Sequence, residues 1–144
     1  MEELGIFTAK DLASYINYVY LQLPNKLNKI SPLKLQKSLY FCFAYWGGFV
    51  RKSKSNKSEI DLKQYSEYLF DDKIEAWVYG PVVPNVYHLE KLPDCNPDEL
   101  FEEKEYIKEF IDGILNDVLK LGDFRLVELS HNDECWRKYF RKSE

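Results

Sequence analysis

The chain has 144 residues and a mass of 17.2 kDa, one domain's worth of material that needs neither disulfides nor metal to fold. Apolar residues make up 45% and charged residues 31%, a balance that excludes intrinsic disorder. The net charge of −4 hides an asymmetry: residues 1–66 carry ten Lys/Arg against five Asp/Glu, and residues 67–144 carry ten against nineteen. With a pI near 5.3 the chain lacks the basic bias of a duplex-binding domain, which argues against a nucleic-acid partner.

The N-terminal stretch has no signal-peptide core, and the longest apolar run, Leu39–Phe49, is about half of what a membrane span needs. Cys42, Cys95 and Cys135 are odd in number and show no CxxC spacing, as expected of reduced thiols in a cytoplasmic protein. Eleven Tyr, nine Phe and three Trp supply a core from few positions, because each ring buries a large area.

Taken in order, the chain predicts a mainly α fold. Thr8 before Ala9-Lys10-Asp11 is a helix start, and Leu12, Tyr15/Ile16, Val19 and Leu23 form one apolar stripe ended by Pro24. Ser31-Pro32 opens a second helix, with Ser as cap and Pro in the first turn. Its segment Leu39–Trp46 is apolar or aromatic at every position, the pattern of a central helix wrapped by others, and Gly47-Gly48 weaken its far end. Residues 51–66 read as a polar surface loop.

A small β-hairpin is predicted at about residues 68–79, with strands Tyr68–Phe70 and Lys73–Tyr79 around an acidic turn at Asp71-Asp72. Gly80-Pro81 and Pro84 then break the chain before a short helix, Asn85–Leu92. After a Pro-rich connector, Ile107, Phe110/Ile111, Ile114, Val118 and Leu121 mark a long helix closed by Gly122. Two further short helices are expected, at Arg125–Leu129 and Asp133–Arg141. The whole chain, 1–144, is expected to form a single compact domain around the second helix.

No catalytic constellation emerges, and the expectation is that the protein is not an enzyme. His88, His131 and the cysteines lack metal-ligand spacing, and no GxxxxGK or GxGxxG loop exists, so neither metal nor cofactor is expected. Nine acids and two lysines between Asp94 and Asp117 read as a solvated helix face able to steer a basic partner. The segment Ile74–Tyr87, IEAWVYGPVVPNVY, is the informative one. Its glycine and prolines stiffen a turn beside Trp77, Tyr79 and Tyr87, and rigid aromatics at a fixed turn either close the core or anchor an interface.

Three segments together resemble the Panacea domain family. Ser31–Tyr40, SPLKLQKSLY, is similar to its xLKLQKLLYF helix. Leu69–Tyr87 is similar to its LFDxxIEAWxYGPVVPxVY motif, and Leu129–Trp136 to its closing LTHxxxPW. Ser130 and Cys135 depart from the Thr and Pro of that last motif, and residues 51–66 are longer than the family's usual connection.

The resemblance implies a small helical antitoxin that neutralises a cognate toxin by direct protein contact. The alternative it implies is a phage or mobile-element accessory protein, acting as an adaptor to a Clp-type protease or as an inhibitor of a host factor. The partner-binding residues expected on this basis are Trp77, Tyr79, Gly80, Pro81 and Tyr87, with His131 and Trp136 nearby. Gln36, Lys37 and Tyr40 are left open between core and surface.

Overall fold

The structure is a computed structural model that describes residues 5–24, 29–56 and 65–132. It is mainly helical, and the elements follow from local signals reinforced by distant partners. In α1 (Ala9–Leu21) the Thr8 side chain accepts a hydrogen bond from the Asp11 amide at 3.2 Å. The Asp72 carboxylate accepts from the Ala9 amide at 3.0 Å, so a residue far along the chain satisfies a second free amide of the same helix end. Leu12, Tyr15 and Ile16 of this helix are buried.

In α2 (Pro32–Asn56) Ser31 accepts from the Lys34 amide and donates to the Asp123 carboxylate. This helix is the centre of the molecule, packed against α1, α5, α6, α3 and the second strand. Its buried run extends unbroken from Lys34 to Cys42 and resumes at Trp46 and Val50. Residues 51–56, expected in a loop, instead continue the helix past both glycines. Gly47 marks a close approach there: a Cβ would stand 3.1 Å from the Glu67 carbonyl oxygen, tighter than an ordinary contact, so the following chain crosses α2 at this point. Residues 57–64 of the expected loop lie outside the described residues.

The hairpin exists but sits further along than the sequence suggested. Strands β1 (Glu75–Trp77) and β2 (Gly80–Val82) pair antiparallel, with Trp77 opposite Gly80, Ala76 opposite Pro81 and Glu75 opposite Val82. The loop is Val78-Tyr79. Residues 68–70 form no ladder with 73–79; the Tyr68 and Leu69 carbonyls accept from the Ile6 and Phe7 amides at 3.0 and 2.7 Å. Asp71 and Asp72, the expected turn, accept from the Gly5 and Ala9 amides instead. Asp72 also accepts from the Asn85 side-chain amide at 2.8 Å.

The remaining helices are α3 (Pro84–Tyr87), α4 (Pro97–Leu100), α5 (Glu105–Val118) and α6 (Asp123–Asn132). The third is half the predicted length. The fourth was expected as connector, and Asn96 caps it by accepting from the Glu99 amide. In α5 the buried positions are Ile107, Ile111, Leu115 and Val118, with Phe110 and Ile114 at the margin of the core; Leu121, expected on the same helix, packs there from beyond its end. Gly122 lies beyond the end of α5, and its carbonyl receives the Leu126 amide as the first bond of α6. The helix expected at Asp133–Arg141 lies outside the described residues. None of the described helices is long and apolar enough to cross a membrane.

Candidate functional site

The hairpin is held from below by side chains of α2. Gln36 is buried and faces Val83 with both ends of its amide: Oε1 accepts from the Val83 N–H at 2.7 Å, and Nε2 donates to the Val83 carbonyl at 3.3 Å. Lys37, one residue on and with no exposed surface, donates from Nζ to the Pro81 carbonyl at 2.9 Å. Between them, these two side chains satisfy the Pro81 carbonyl and the Val83 N–H, groups that a neighbouring strand would otherwise pair, while the Val83 carbonyl also accepts from the Val86 and Tyr87 amides. Burial pushes the Lys37 ammonium down to about 8, and no carboxylate among the described residues offsets it. Gln36 and Lys37 thus point inward, which settles a choice the sequence left open.

Gly80 makes this arrangement sterically possible. Neither Val78 nor Tyr79 takes a positive φ; the left-handed residue of the reversal is Gly80, at φ 108°. A Cβ at that position would lie 2.8 Å from Ser130 Oγ and 3.3 Å from Lys37 Nζ. Ser130 is itself buried on α6 and donates to the Val127 carbonyl at 2.9 Å. One residue on, His131 Nε2 lies 3.1 Å from the Val78 carbonyl, which therefore accepts from the Nε2–H tautomer. The turn is fastened from α2 on one side and α6 on the other.

On the outer side the same hairpin presents apolar surface. Val78 is 82% exposed, Tyr79 61% and Tyr87 52%. Trp77 is half-buried: its ring meets Tyr87 edge-on with centroids 4.9 Å apart, and its Nε1 donates to the Glu75 carboxylate at 3.0 Å. That bond, with help from Lys73, holds the Glu75 carboxyl below the usual range. Tyr87 also stands at the mouth of a groove of about 930 Å³ between α1, the start of α2 and α3, bordered by Tyr18, Leu21 and Leu35.

The structure brings six of the seven sequence-predicted site residues together. Trp77, Tyr79 and Tyr87 form the outward corner, Gly80 and Pro81 are buried beneath it, and His131 bonds to its backbone. The seventh, Trp136, lies outside the described residues. Gln36, Lys37 and Ser130 belong to the same assembly and were not among the expected site residues. Two polar side chains in the turn just before the all-apolar segment Leu39–Trp46 were the available signal for the first two.

For chemistry the site offers hydrogen bonding and apolar contact. Burial raises the Cys42 and Cys95 thiols above the ordinary value. Among the described residues no three His, Cys, Asp or Glu side chains are grouped to hold a metal ion.

No curated protein and no solved structure matches the chain. Residues 58–137, more than half of it, match the family model described as antitoxin SocA-like, Panacea domain. That span holds the whole hairpin, its turn and the α6 residues that bond to it, whereas Gln36 and Lys37 reach the same turn from outside it. The chain belongs to the SocA-like antitoxin family of Panacea-domain proteins.

Proposed function

We propose that this protein is an antitoxin that neutralises a cognate toxin by direct contact through the corner formed by Trp77, Tyr79 and Tyr87, without catalysis. The observation that carries the reading is the pairing of exposed aromatic surface with a clamped backbone. Tyr79 and Tyr87 are more than half exposed, yet the turn between them is tied to α2 and α6 through Pro81, Val83 and Val78. A surface already held in one conformation loses little entropy on binding, and large aromatics at an interface centre dominate its energy. Gly80 and Pro81 serve by shape, since both are buried. Membership of an antitoxin-like family supports a protein partner of this kind.

The test is growth rescue. The gene adjoining this one is expressed as the toxin, together with wild type, Tyr79→Ala or Tyr87→Ala, and the melting temperature of each purified protein is recorded. Loss of rescue by variants that melt with wild type is the expected result. Loss of rescue only in step with lost stability would make these residues part of the fold and move the toxin contact elsewhere. A fall in toxin level that depends on a Clp-type protease would assign the protein to delivery rather than blocking.

A further inference from the structure

The two edges of the hairpin are finished differently. Pro81 has no N–H, so Ala76 and Pro81 form the pair without mutual hydrogen bonds, and the ladder runs through the pairs on either side. The main-chain groups of Ala76 and the Pro81 carbonyl therefore point outward, to opposite edges. On the β2 edge the Pro81 carbonyl meets Lys37, and beyond it Val83 meets Gln36. On the β1 edge neither the N–H nor the carbonyl of Ala76 has a hydrogen-bond partner among the described residues. It is β2 that packs on α2 and α6, which leaves β1 as the outer strand.

We propose that the outer edge of β1 takes up an extended segment of the protein partner as a third strand, paired through the Ala76 N–H and carbonyl. The inference rests on the binding reading above and names the form in which the partner arrives. A donor and an acceptor on one residue, aimed the same way from an extended strand, match another extended main chain. A helix has its own backbone groups already paired, and a phosphate backbone supplies no donor for the carbonyl.

The edge is continuous with the aromatic corner. Glu75 and Trp77 share one face of β1, as their side-chain hydrogen bond shows, so the added strand lies beside the Trp77 ring with Tyr87 behind it. Aromatic and β-branched residues pair best across strands with such a ring, so the partner segment carries one of them opposite Trp77. With three residues in β1, the main-chain bonds set register and direction, and the aromatic contacts supply most of the affinity.

Amide hydrogen exchange on the wild-type protein tests this directly, alone and in complex with the product of the adjoining gene. The Ala76 amide is expected to exchange freely in the protein alone and at least about tenfold more slowly in the complex. An Ala76→Pro variant removes an N–H that the β1–β2 ladder does not use, at an edge position where proline is tolerated. It should bind about tenfold more weakly while its melting temperature stays near wild type, whereas Ala76→Val, which keeps the N–H, should bind as wild type does. If proline unfolds the hairpin, the exchange rate in the wild-type complex decides. A complex in which Ala76 exchanges as fast as before overturns the third strand and leaves the binding reading standing; failure to form any complex overturns both.

Discussion

The two sides of the hairpin share one short stretch of sequence and have opposite physical characters. Beneath β2, polar groups are fully buried and individually paired: Gln36 with Val83, Lys37 with Pro81. At the tip and on α3, large apolar groups stand in solvent: Val78, Tyr79, Tyr87. Water would ordinarily favour the reverse distribution. Buried polar contacts of this kind add little net stability compared with apolar packing, but they specify one geometry, because any other leaves a backbone group unpaired. The lesson is a division of labour: the buried half fixes where the turn sits, and the exposed half is what the turn presents.

That division is broken most severely from below. Gln36→Ala would strip the Val83 N–H of its partner, a cost of about 1–3 kcal/mol for a buried donor left unsatisfied, whereas the Val83 carbonyl keeps the Val86 and Tyr87 amides. Urea unfolding is expected to show a loss of about 1–3 kcal/mol. A loss below half a kilocalorie would mean that water replaces the side chain and that the turn is not held by it. Gly80→Ala comes next. Its left-handed backbone alone costs an alanine about 1–2 kcal/mol, and the Cβ must also displace Ser130 Oγ. Unchanged stability would show that the turn relaxes easily, and the clamp would lose its meaning.

Lys37 sharpens the same side through pH. Its folded value of about 8 lies below the ordinary 10.5, so the unfolded chain holds the proton more tightly than the native one. The charged form is therefore the destabilising one. Its cost is present in full below about pH 8 and is relieved as pH rises toward 10.5, so this group makes stability increase with pH. Other groups titrate in that window, including Tyr15, whose phenol burial pushes upward with the opposite effect. The clean observable is a difference: wild type should gain on Lys37→Met between pH 7 and about pH 9.5. A gap that does not move with pH would place water around the ammonium.

The same contrast explains what the sequence could and could not tell. Helix starts were legible because their chemistry is local: Thr8 caps the Asp11 amide and Ser31 the Lys34 amide, each three residues away. The central helix was legible because it is apolar on every side from Leu39 to Trp46, although nothing local shows that it runs on to Asn56. The hairpin was recognised as a type of element but misplaced. Asp71-Asp72 has the composition of a turn, and its carboxylates are instead consumed by the Gly5 and Ala9 amides more than sixty residues upstream. The aromatic corner could be read from Trp77, Tyr79 and Tyr87 themselves. Its clamp could not, since a lysine and a glutamine inside a helix point inward only if a partner waits more than forty residues away.

The smallest expected effect on stability is the most telling. Tyr79 is 61% exposed at the tip of a two-residue loop, so Tyr79→Ala removes little buried area. Substitutions at such surface positions stay within about 0.5 kcal/mol, and the variant should unfold at nearly the wild-type urea concentration. Its backbone conformation is set by groups the substitution does not touch: the Val78 carbonyl on His131, the Pro81 carbonyl on Lys37 and the left-handed Gly80. Partner affinity should fall all the same, by about 2 kcal/mol if the ring is an interface anchor. The pair of measurements separates the two halves of the hairpin, because Gln36→Ala should lower stability and binding together and Tyr79→Ala should lower binding alone. If Tyr79→Ala costs as much stability as Gln36→Ala, the exposed ring is part of what holds the turn, and the division between the clamped side and the presented side collapses.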